Sequence, residues 1–244
     1  MRAGQGGGTN GRDKRARMRG RGDTTELGEA GEWRMELDGA LVAVGRASAD
    51  AGHPFVPVGV GDAWVYAVSQ STGVTSEASE AIVAVRRDGE RTIARVRGAS
   101  AGGVSERDLV IDRRGVSPDI GAMTTASGVV ETIAADGVYL PRVLTPGCAW
   151  RWRQSLAMPG STVEVEGAGE ALGEVEVTVP AGVFVAVHVR GAVRSRMKAA
   201  TGPLEVVQTD DNFYVRGVGL VRSVTATGHG YVSEKVLLRW SVGG

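Results

Sequence analysis

Hydrophobic and polar residues alternate in short runs along the chain from Pro54 onward, and Gly, Asp and Pro separate these runs. The alternation is clearest at 183–190. One face there would carry Val183, Val185, Val187 and Val189, and the other Phe184, Ala186, His188 and Arg190. A period of two residues is typical of a β-strand, and no window shows a helical stripe of ten or more residues. The pattern predicts a mainly β chain with little helix, folded as an antiparallel meander.

The same criteria predict further strands at 109–112, 148–156, 162–167, 175–179, 183–193, 204–208, 213–216, 220–225 and 231–242. Asp88 and Gly89 lie between two alternating runs and predict a tight hairpin, because Gly accepts the positive φ that such a turn demands. In the last strand, one face is interrupted only by Glu234 and otherwise carries Val232, Val236, Leu238 and Trp240.

The chain also contains two similar segments, 53–66 and 139–152. Each has an extended lead-in with Pro, a Gly turn and a strand that begins near a Trp, and Trp150 follows Trp64 by 86 residues. That distance is far longer than a solenoid repeat. We therefore expect a duplicated β-unit, with lobes at 54–137 and 138–244 that form either two similar lobes or one curved half-barrel. Each Trp is expected to plug one end of its own lobe.

Composition and charge narrow the possible functions. The chain has 37 glycines but only 3 Phe and 4 Tyr, so valine must fill much of the core. The net charge is zero, yet residues 1–22 carry seven basic groups and one acid, which leaves a charge of −6 on the remainder. An acidic body gives no electrostatic reason to bind nucleic acid.

The first fifty residues are rich in Gly and charge and lack apolar periodicity. Such a segment buries too little surface to offset its ordering entropy, so 1–50 is predicted to be disordered. Residues 33–44 favour a short strand or helix. The Arg-rich run is interpreted as a solvated tail, and a nucleic-acid-binding arm is the alternative. Salt-dependent DNA binding that disappears on deletion of 1–22 would support that alternative.

Cysteine content and hydropathy bear on the compartment. Cys148 is the only cysteine, so neither an intrachain disulfide nor a thiolate metal cluster is expected. The run Ala40–Val44 is too short for a secretory h-region, and no stretch approaches the apolar length of a membrane helix. As written, the chain is expected to be neither exported nor membrane-spanning.

Three stretches resemble a group of bacterial exported β-domains with PLxxGxxWxY, VPAGTF and YAxGVGLV motifs: 57–66, 179–184 and 214–221. The resemblance covers about 54–242 and implies a lipoprotein-carrier-like or lipoprotein-like half-barrel in the periplasm or cell envelope, with no attached activity. Val183 stands where Thr is usual and Arg216 where a small residue or Pro is usual. The absent signal segment implies either a misplaced start or a cytoplasmic member.

The motif residues have structural interpretations. Pro180 and Gly182 are expected to end one strand and turn the chain, since Pro is harmless at a strand edge. Gly217 and Gly219 are expected to permit a bulge or a close backbone approach. Together with Trp64, Trp150 and Phe184, these positions are predicted to hold the fold and not to bind a ligand.

No catalytic, cofactor-binding or metal-binding motif is recognisable, so we expect no cofactor and no enzyme activity. His53, His188 and His229 do not share metal-ligand spacing. The carboxylate pairs Glu164 with Glu166 and Glu174 with Glu176 are expected to face water, and Asp210-Asp211-Asn212 is interpreted as a turn. Cys148 is interpreted as a buried structural thiol and not a nucleophile.

The leading hypothesis is a non-catalytic, envelope-type β-domain that binds a lipid, another apolar ligand or a protein partner on a concave valine-rich face. The rival hypothesis is a hydrolase that uses His188 or cleft carboxylates. It requires at least two of six residues to converge in a concave pocket: Glu131, Asp136, His188, Asp210, Asp211 and His229.

Overall fold

The computed structural model describes residues 53–126, 128–199 and 202–242, together with the backbone of three strands closer to the N-terminus. These strands, β1 (Thr25–Leu27), β2 (Glu32–Leu37) and β3 (Ala40–Arg46), form an antiparallel sheet in the order β1-β2-β3. Of the two alternatives for 33–44, the strand is present. The rest of residues 1–52, including the Arg-rich run, lies outside the described residues, and the disorder expected there stays a prediction.

Fourteen further strands make up a second sheet. Their bounds are β4 (Ala63–Gln70), β5 (Thr75–Asp88), β6 (Arg91–Ser100), β7 (Gly103–Ile111), β8 (Gly115–Val116), β9 (Ala122–Thr125), β10 (Gly128–Gly137), β11 (Leu140–Pro141), β12 (Ala149–Met158), β13 (Ser161–Val179), β14 (Gly182–Ala199), β15 (Gly202–Val215), β16 (Gly219–Thr227) and β17 (Val232–Ser241). No helix occurs among the described residues, and all pairings are antiparallel, which confirms the predicted class. The hairpin at Gly89 is also confirmed, with Asp88 paired to Arg91.

The second sheet closes into a twelve-stranded barrel. Its strand order is β11-β8-β7-β6-β5-β4-β17-β16-β15-β14-β13-β12-β10-β9. β9 pairs with β10 on one side and with β7 on the other, and this second pairing closes the ring. The predicted half-barrel was therefore wrong, because β9 covers the edge that β7 would otherwise leave free. Closure removes most of the backbone groups that an open sheet exposes to other chains. The residues of each predicted lobe supply six strands to this one barrel, and the duplication itself stays a prediction.

Corresponding hydrogen bonds join the two similar segments to their neighbours. The amide of Gly61 donates to Ile82, whose amide donates to Asp62, at 3.0 and 2.8 Å. In the second segment, Gly147 donates to Ala171, whose amide donates to Cys148, at 2.8 and 2.9 Å. A register shift follows each neighbour, between Ile82 and Ala84 and between Ala171 and Gly173. The two Trp-containing strand starts therefore have the same local backbone geometry.

Strand register assigns each side chain to the inside or the outside of the barrel. From Trp152, the pairing runs through Gly167, Val193 and Gln208, and continues round the ring on the same face. This inner face includes Trp64, Tyr66, Glu80, Val96, Arg107, Val165, Asp210, Lys235 and Leu237. The outer face carries ion pairs, among them Arg97 with Glu106, Arg196 with Glu205 and Arg222 with Glu234. A charged outside around a mostly uncharged inside explains the alternation in the sequence.

Two predicted faces were wrong, one because of a register shift in β17 and the other because the first residues of β14 leave the barrel wall. In β17 the register shifts between Leu237 and Arg239, so the inner side chains are Ser233, Lys235, Leu237 and Trp240, while Val232 and Val236 lie outside. In β14, both Phe184 and Val189 are buried, whereas Val185 is 46% exposed. The pairing of β14 with β15 stops at Val187, so residues before it leave the barrel wall.

The tip of the β13–β14 hairpin instead packs against β17. The Ala181 amide donates to the Leu237 carbonyl at 3.1 Å, and the Phe184 ring lies edge-on to Trp240 at 5.5 Å between centroids. Pro180 and Gly182 lie at this turn, as expected. Together with segments 53–62, 112–121 and 138–148, this tip covers one end of the barrel, which we call the closed end. The turns at 71–74, 159–160 and 228–231 mark the opposite, turn end.

The join between β7 and β9 is the weakest part of the ring. It consists of one register pair, Glu106 with Thr124, whereas β14 is paired along nearly its whole length on both sides. We expect β9 amides to exchange with deuterium much faster than β14 amides, because few hydrogen bonds need to break. Hydrogen–deuterium exchange resolved by peptide tests this. Equal protection of 122–125 and 187–193 would contradict a weak join.

Candidate functional site

The inside of the barrel is the candidate site. An eight-stranded barrel is just filled by its own side chains, and diameter rises with strand number, so twelve strands enclose more room. Small inner residues enlarge that room: Ser76, Ala78, Gly98, Ser105, Gly167, Gly169, Gly191 and Ser195. At the turn end, β14 and β15 extend past β16, whose pairing with β15 stops at Gln208, and Leu204 on the inner side of this extension is 51% exposed.

Two tryptophans lie flat along the inner wall. Trp152 covers Gly167 and Trp150 covers Gly169, and a Cβ on either glycine would overlap the indole ring. The Trp150 Nε1–H donates to the Tyr139 carbonyl at 3.0 Å. Because the rings lie over glycines, they add aromatic surface without crossing the interior. Trp64 is buried at the closed end, where its Nε1–H donates to the Val218 carbonyl at 2.7 Å.

Three charged residues lie together on the inner face near the closed end. The Lys235 Nζ donates to Glu80 Oε1 at 2.9 Å, and an Arg107 NH2 lies 3.6 Å from Glu80 Oε2. The Lys235 ammonium also lies 3.9 Å from the centre of the Tyr66 ring, a cation–π distance. The Arg107 side chain is 31% exposed although it lies inside the barrel. These residues form a charged cluster, Glu80–Arg107–Lys235, that borders open space.

The electrostatics of the cluster keep Glu80 ionised. Burial by itself would raise the pKa of Glu80, but Lys235 and Arg107 outweigh it, so the pKa is lowered. At Tyr66, burial raises the pKa well above its usual value, with a smaller contribution from Glu80. The cluster therefore contains one anion, two cations and a neutral phenol at neutral pH.

Two further tyrosines lie on the inside of the barrel. Tyr139 comes from the loop after β10, and its ring lies edge-on to Trp152 at 5.4 Å between centroids. It is 45% exposed, yet burial raises its pKa and Asp210 adds to that shift. A phenol that is surrounded by protein and still has this much accessible surface faces an internal space. Burial likewise raises the pKa of Tyr214, with contributions from Tyr139 and Tyr66.

Asp210 lies on the inner face of β15 and Asp211 on the outer face. Asp210 accepts hydrogen bonds from Thr225 Oγ1 at 2.7 Å and from Gln208 Nε2 at 3.4 Å. The predicted turn at 210–212 was wrong, since these residues lie within β15 and pair with both neighbours. The error has a physical cause. A run of polar residues indicates a turn only where the strand interior must be apolar, and this barrel has a partly polar interior.

The wall nearer the turn end is more apolar on one side. The inner residues of β12 to β15 there are Leu156, Met158, Val163, Val165, Val193, Met197 and Val206. The opposite side carries small polar residues, namely Gln70, Ser76, Ser105 and Ser233. The interior is thus amphipathic, with an apolar wall leading to the charged cluster.

Of the six residues on which a hydrolase would depend, only His188 and Asp211 come together. His188 Nε2 lies 2.7 Å from Asp211 Oδ1, and the imidazole stacks on Phe213 at 4.6 Å. Burial opposes ionisation of Asp211, but hydrogen bonds from His188 and Arg190 lower its pKa. The pair lies on the outer face, not in a concave pocket.

The other expected residues are dispersed. Glu131 and Asp136 lie on the outer face of β10, and Asp136 pairs with Arg153 at 3.2 Å. His229 lies exposed in the turn between β16 and β17, and His53 is buried at the closed end. Glu164 and Glu166 lie exposed on the outer face of β13. Among the residues with described side chains, no group of three or more His, Cys, Asp or Glu is placed to hold a metal ion.

The glycines and the single cysteine of the sequence motifs also lie at the closed end. Gly217 has φ of +73° and Gly219 has φ of +102°, in the turn whose amides reach Pro54 and Val215. Cys148 packs against the core in the turn before β12. Their structural roles stay predictions, although the positive φ of the glycines agrees with the expected turn.

Sequence reasoning missed Glu80, Arg107, Lys235 and Tyr139. Arg107 and Lys235 each lie in an alternating strand next to an outward-facing charge, as in Glu234-Lys235, so the sequence does not show which of the two faces inward. The available signal was the alternation of Lys235 with Leu237, which places the two side chains on the same face of β17.

A groove of about 730 Å³ also lies on the outer face, where Ala168 and Ala192 form the floor between Arg151 and Arg194. Within the described part of the chain, there is no helix of the length and apolarity needed to cross a membrane.

Comparison with solved structures gives a fold relationship. A presumed exported protein with a YmcC-like fold from Bacteroides fragilis superposes with a TM-score of 0.51 at 14% identity, over 78% of this chain and 100% of that chain. A presumed lipoprotein from Parabacteroides distasonis gives 0.42 at 14% identity, over 77% and 98%. The hypothetical lipoprotein YmcC from Escherichia coli gives 0.38 at 8% identity, over 73% and 84%.

At this identity, the similarity to the Bacteroides fragilis protein shows a shared fold and no more. The chain matches no protein-family model, and no curated protein matches it by sequence.

Proposed function

We propose that this chain is a non-catalytic barrel of the cell envelope that binds an apolar or amphiphilic molecule inside its twelve-stranded ring. One observation carries the proposal. Tyr139, on the inside, is 45% exposed while its ring packs edge-on against Trp152 of the inner wall. A side chain surrounded by inner-wall residues that still has this much accessible surface borders an internal space.

The chemistry of the walls supports an apolar or amphiphilic ligand. Ligand sites in proteins are mostly apolar, with a few polar groups that set orientation. The valines and methionines of β12 to β15 supply the first property, and the charged cluster supplies the second. The outer face, by contrast, carries side chains of opposite charge paired with one another, and such a charged surface favours contact with water.

The envelope location in this proposal is supported by two likenesses. The sequence motifs resemble those of exported β-domains, and the fold resembles that of a presumed exported protein. A barrel with a charged exterior and an accessible interior is a suitable form for holding an apolar molecule in water.

Quenching of tryptophan fluorescence tests whether an alkyl chain binds inside the barrel. Dodecyl maltoside with bromine atoms on its chain, below its micelle concentration, is expected to quench tryptophan fluorescence, because the chain contacts Trp150 and Trp152 on the inner wall. The unbrominated detergent should compete. Trp152→Phe should remove a substantial part of the quenching, whereas Trp240→Phe, at the closed end against Phe184, should preserve most of it.

Two results would contradict the proposal. Quenching that is absent in the wild-type protein would show that no alkyl chain reaches the inner wall. Quenching that is lost equally in both variants would place the chain elsewhere on the protein.

A further inference from the structure

We infer that Arg107, Tyr139 and Tyr214 form a carboxylate-binding site inside the barrel, towards its closed end. This site binds the head group of a fatty acid whose alkyl chain lies along β12 to β15. The inference rests on the proposed function and specifies its ligand.

Three side chains inside the barrel carry hydrogen-bond donors that the described protein groups do not fully use. A guanidinium carries five N–H donors. The described partner of Arg107 is Glu80, whose Oε2 lies 3.6 Å from one NH2 of the guanidinium, and this ion pair leaves the other N–H groups of Arg107 without a described acceptor. No hydrogen bond from the hydroxyl of Tyr139 or Tyr214 to another described residue occurs. The interior near the closed end thus has hydrogen-bond donors available for a ligand on three side chains.

The carboxylates of the same region already accept hydrogen bonds from neighbouring residues. Glu80 accepts a hydrogen bond from Lys235, and Asp210 accepts hydrogen bonds from Thr225 and Gln208. A cationic ligand would have to compete with these partners. An anionic acceptor would instead meet the free donors of Arg107 and the two phenols, and charge-assisted hydrogen bonds of this kind are the stronger ones.

The charge of the ligand head is limited by the surrounding carboxylates. Glu80 and Asp210 both face the interior, and they balance Arg107 and Lys235. A dianion such as a phosphate monoester would add two charges near two existing carboxylates, and like charges in a confined site repel. A carboxylate adds one charge and offers two oxygens, which suits the planar fork of an arginine.

The dimensions fit a medium-length chain. Arg107 is four residues from Gly103, where β7 begins at the turn end, and four residues of strand span about 13 Å. Three backbone bonds cover about 3.4 Å in an extended chain, so roughly ten to twelve bonds cover that length. A fatty acid of about that length would place its carboxylate at Arg107 and its methyl end near Met158 and Leu204.

The test compares two ligands that differ in the head group alone. Isothermal titration calorimetry on the full chain, below the critical micelle concentrations, is expected to show dodecanoate binding at least about tenfold more tightly than dodecanol. Arg107→Gln should weaken dodecanoate about tenfold and leave dodecanol unchanged. Arg97→Gln is the matched control, since Arg97 lies on the outer face of the neighbouring strand and pairs with Glu106.

A second variant keeps the test valid if Arg107→Gln fails to fold. Tyr139→Phe removes only a hydroxyl, and it should weaken the binding of dodecanoate about threefold without affecting the binding of dodecanol.

Equal affinity of the wild-type protein for dodecanoate and dodecanol would overturn the carboxylate site but leave the proposed function standing. Tighter binding of dodecylamine would also overturn it. Failure of all three ligands, together with no brominated-detergent quenching, would overturn the proposed function as well.

Discussion

Replacing Gly115 with Ala is expected to destabilise the protein by about 3 kcal/mol or more. Gly115 has φ of +147°, and a Cβ there would overlap the Leu140 carbonyl oxygen and lie 2.9 Å from both Arg142 N and Pro141 Cα. All three neighbours are backbone atoms, so no side-chain rotation relieves the overlap. The two short strands β8 and β11 would have to separate.

The loss would extend beyond this contact, because β8 and β11 position the loop that carries Tyr139. The Tyr139 amide donates to the Val116 carbonyl at 2.8 Å, and the Arg142 amide donates to Arg114 at 2.9 Å. The side chains of Val116 and Leu140, each 2% exposed, belong to the core of the closed end. Gly115→Ala should therefore also change the surroundings of Tyr139 inside the barrel.

Gly73→Ala is the matched control for backbone conformation. Gly73 has φ of +82° in the turn between β4 and β5, and nothing would lie within 4 Å of its Cβ. The control should cost about 1–2 kcal/mol, the cost of a left-handed conformation alone. Urea unfolding followed by fluorescence measures both. If Gly115→Ala costs no more than Gly73→Ala, the close approach of β8 and β11 is contradicted. Should it not fold, Leu140→Ala, expected to cost about 2–5 kcal/mol, tests the same packing.

The strands were largely predictable because one rule generates them. Where the chain alternates regularly, as along β6 and in the hairpin at Gly89, a charged outside and a less polar inside produce the observed pattern. Closure was not predictable in the same way. It depends on one short strand, β9, whose four residues pair with β7 at a single position. Nothing in the local alternation of 122–125 indicates that this segment pairs with β7.

The interior was harder to predict than the wall. The alternation indicates an apolar inside and a polar outside, so Asp210, a polar residue of the inner face, was interpreted as part of a turn. Register shifts add a second difficulty, since one extra residue in β17 moves Trp240 onto the same face as Lys235 and Leu237. Neither the polar interior nor the position of a bulge follows from alternation alone.

Tyr139 shows how a candidate site depends on the fold as a whole. It lies in the second similar segment, where the sequence indicated only a lead-in to a strand. Its place inside the barrel results from the β8–β11 pairing, the Trp150 hydrogen bond to its carbonyl and the contact with Trp152. The closed end therefore both blocks one side of the barrel and presents donors to its interior.

A second large effect is expected at His53, which joins two segments of the closed end. Its Nε2–H donates to the Pro141 carbonyl at 3.0 Å, and its Nδ1 accepts the Phe55 amide at 3.2 Å. The imidazole is 3% exposed. Burial lowers the pKa of His53 from 6.5 to about 4, with help from the charge of Arg142 and against the effect of the Pro141 carbonyl. The neutral ring is thus the form that fits the folded protein.

The direction of the pH dependence follows from this depressed pKa. Above pH 6.5 the histidine is neutral in both the folded and the unfolded chain, and its stabilising contribution is fully present. Between pH 6.5 and about 4, the unfolded chain binds a proton that the folded protein does not, so stability falls with falling pH. A difference of this size corresponds to about 3 kcal/mol at the acid end.

Comparison with a His53→Gln variant isolates this contribution from that of the carboxylates, which also titrate in acid. At pH 7 the variant should be less stable than the wild type by roughly 1–3 kcal/mol, because the Phe55 amide or the Pro141 carbonyl loses its partner. The gap should shrink as the pH falls from 6.5 to 4, since only the wild type carries the proton penalty. Urea unfolding at several pH values measures it, with His229→Gln as the control at an exposed histidine. A gap that stays constant from pH 7 to 4 would mean that the folded protein accepts the proton at His53 without cost.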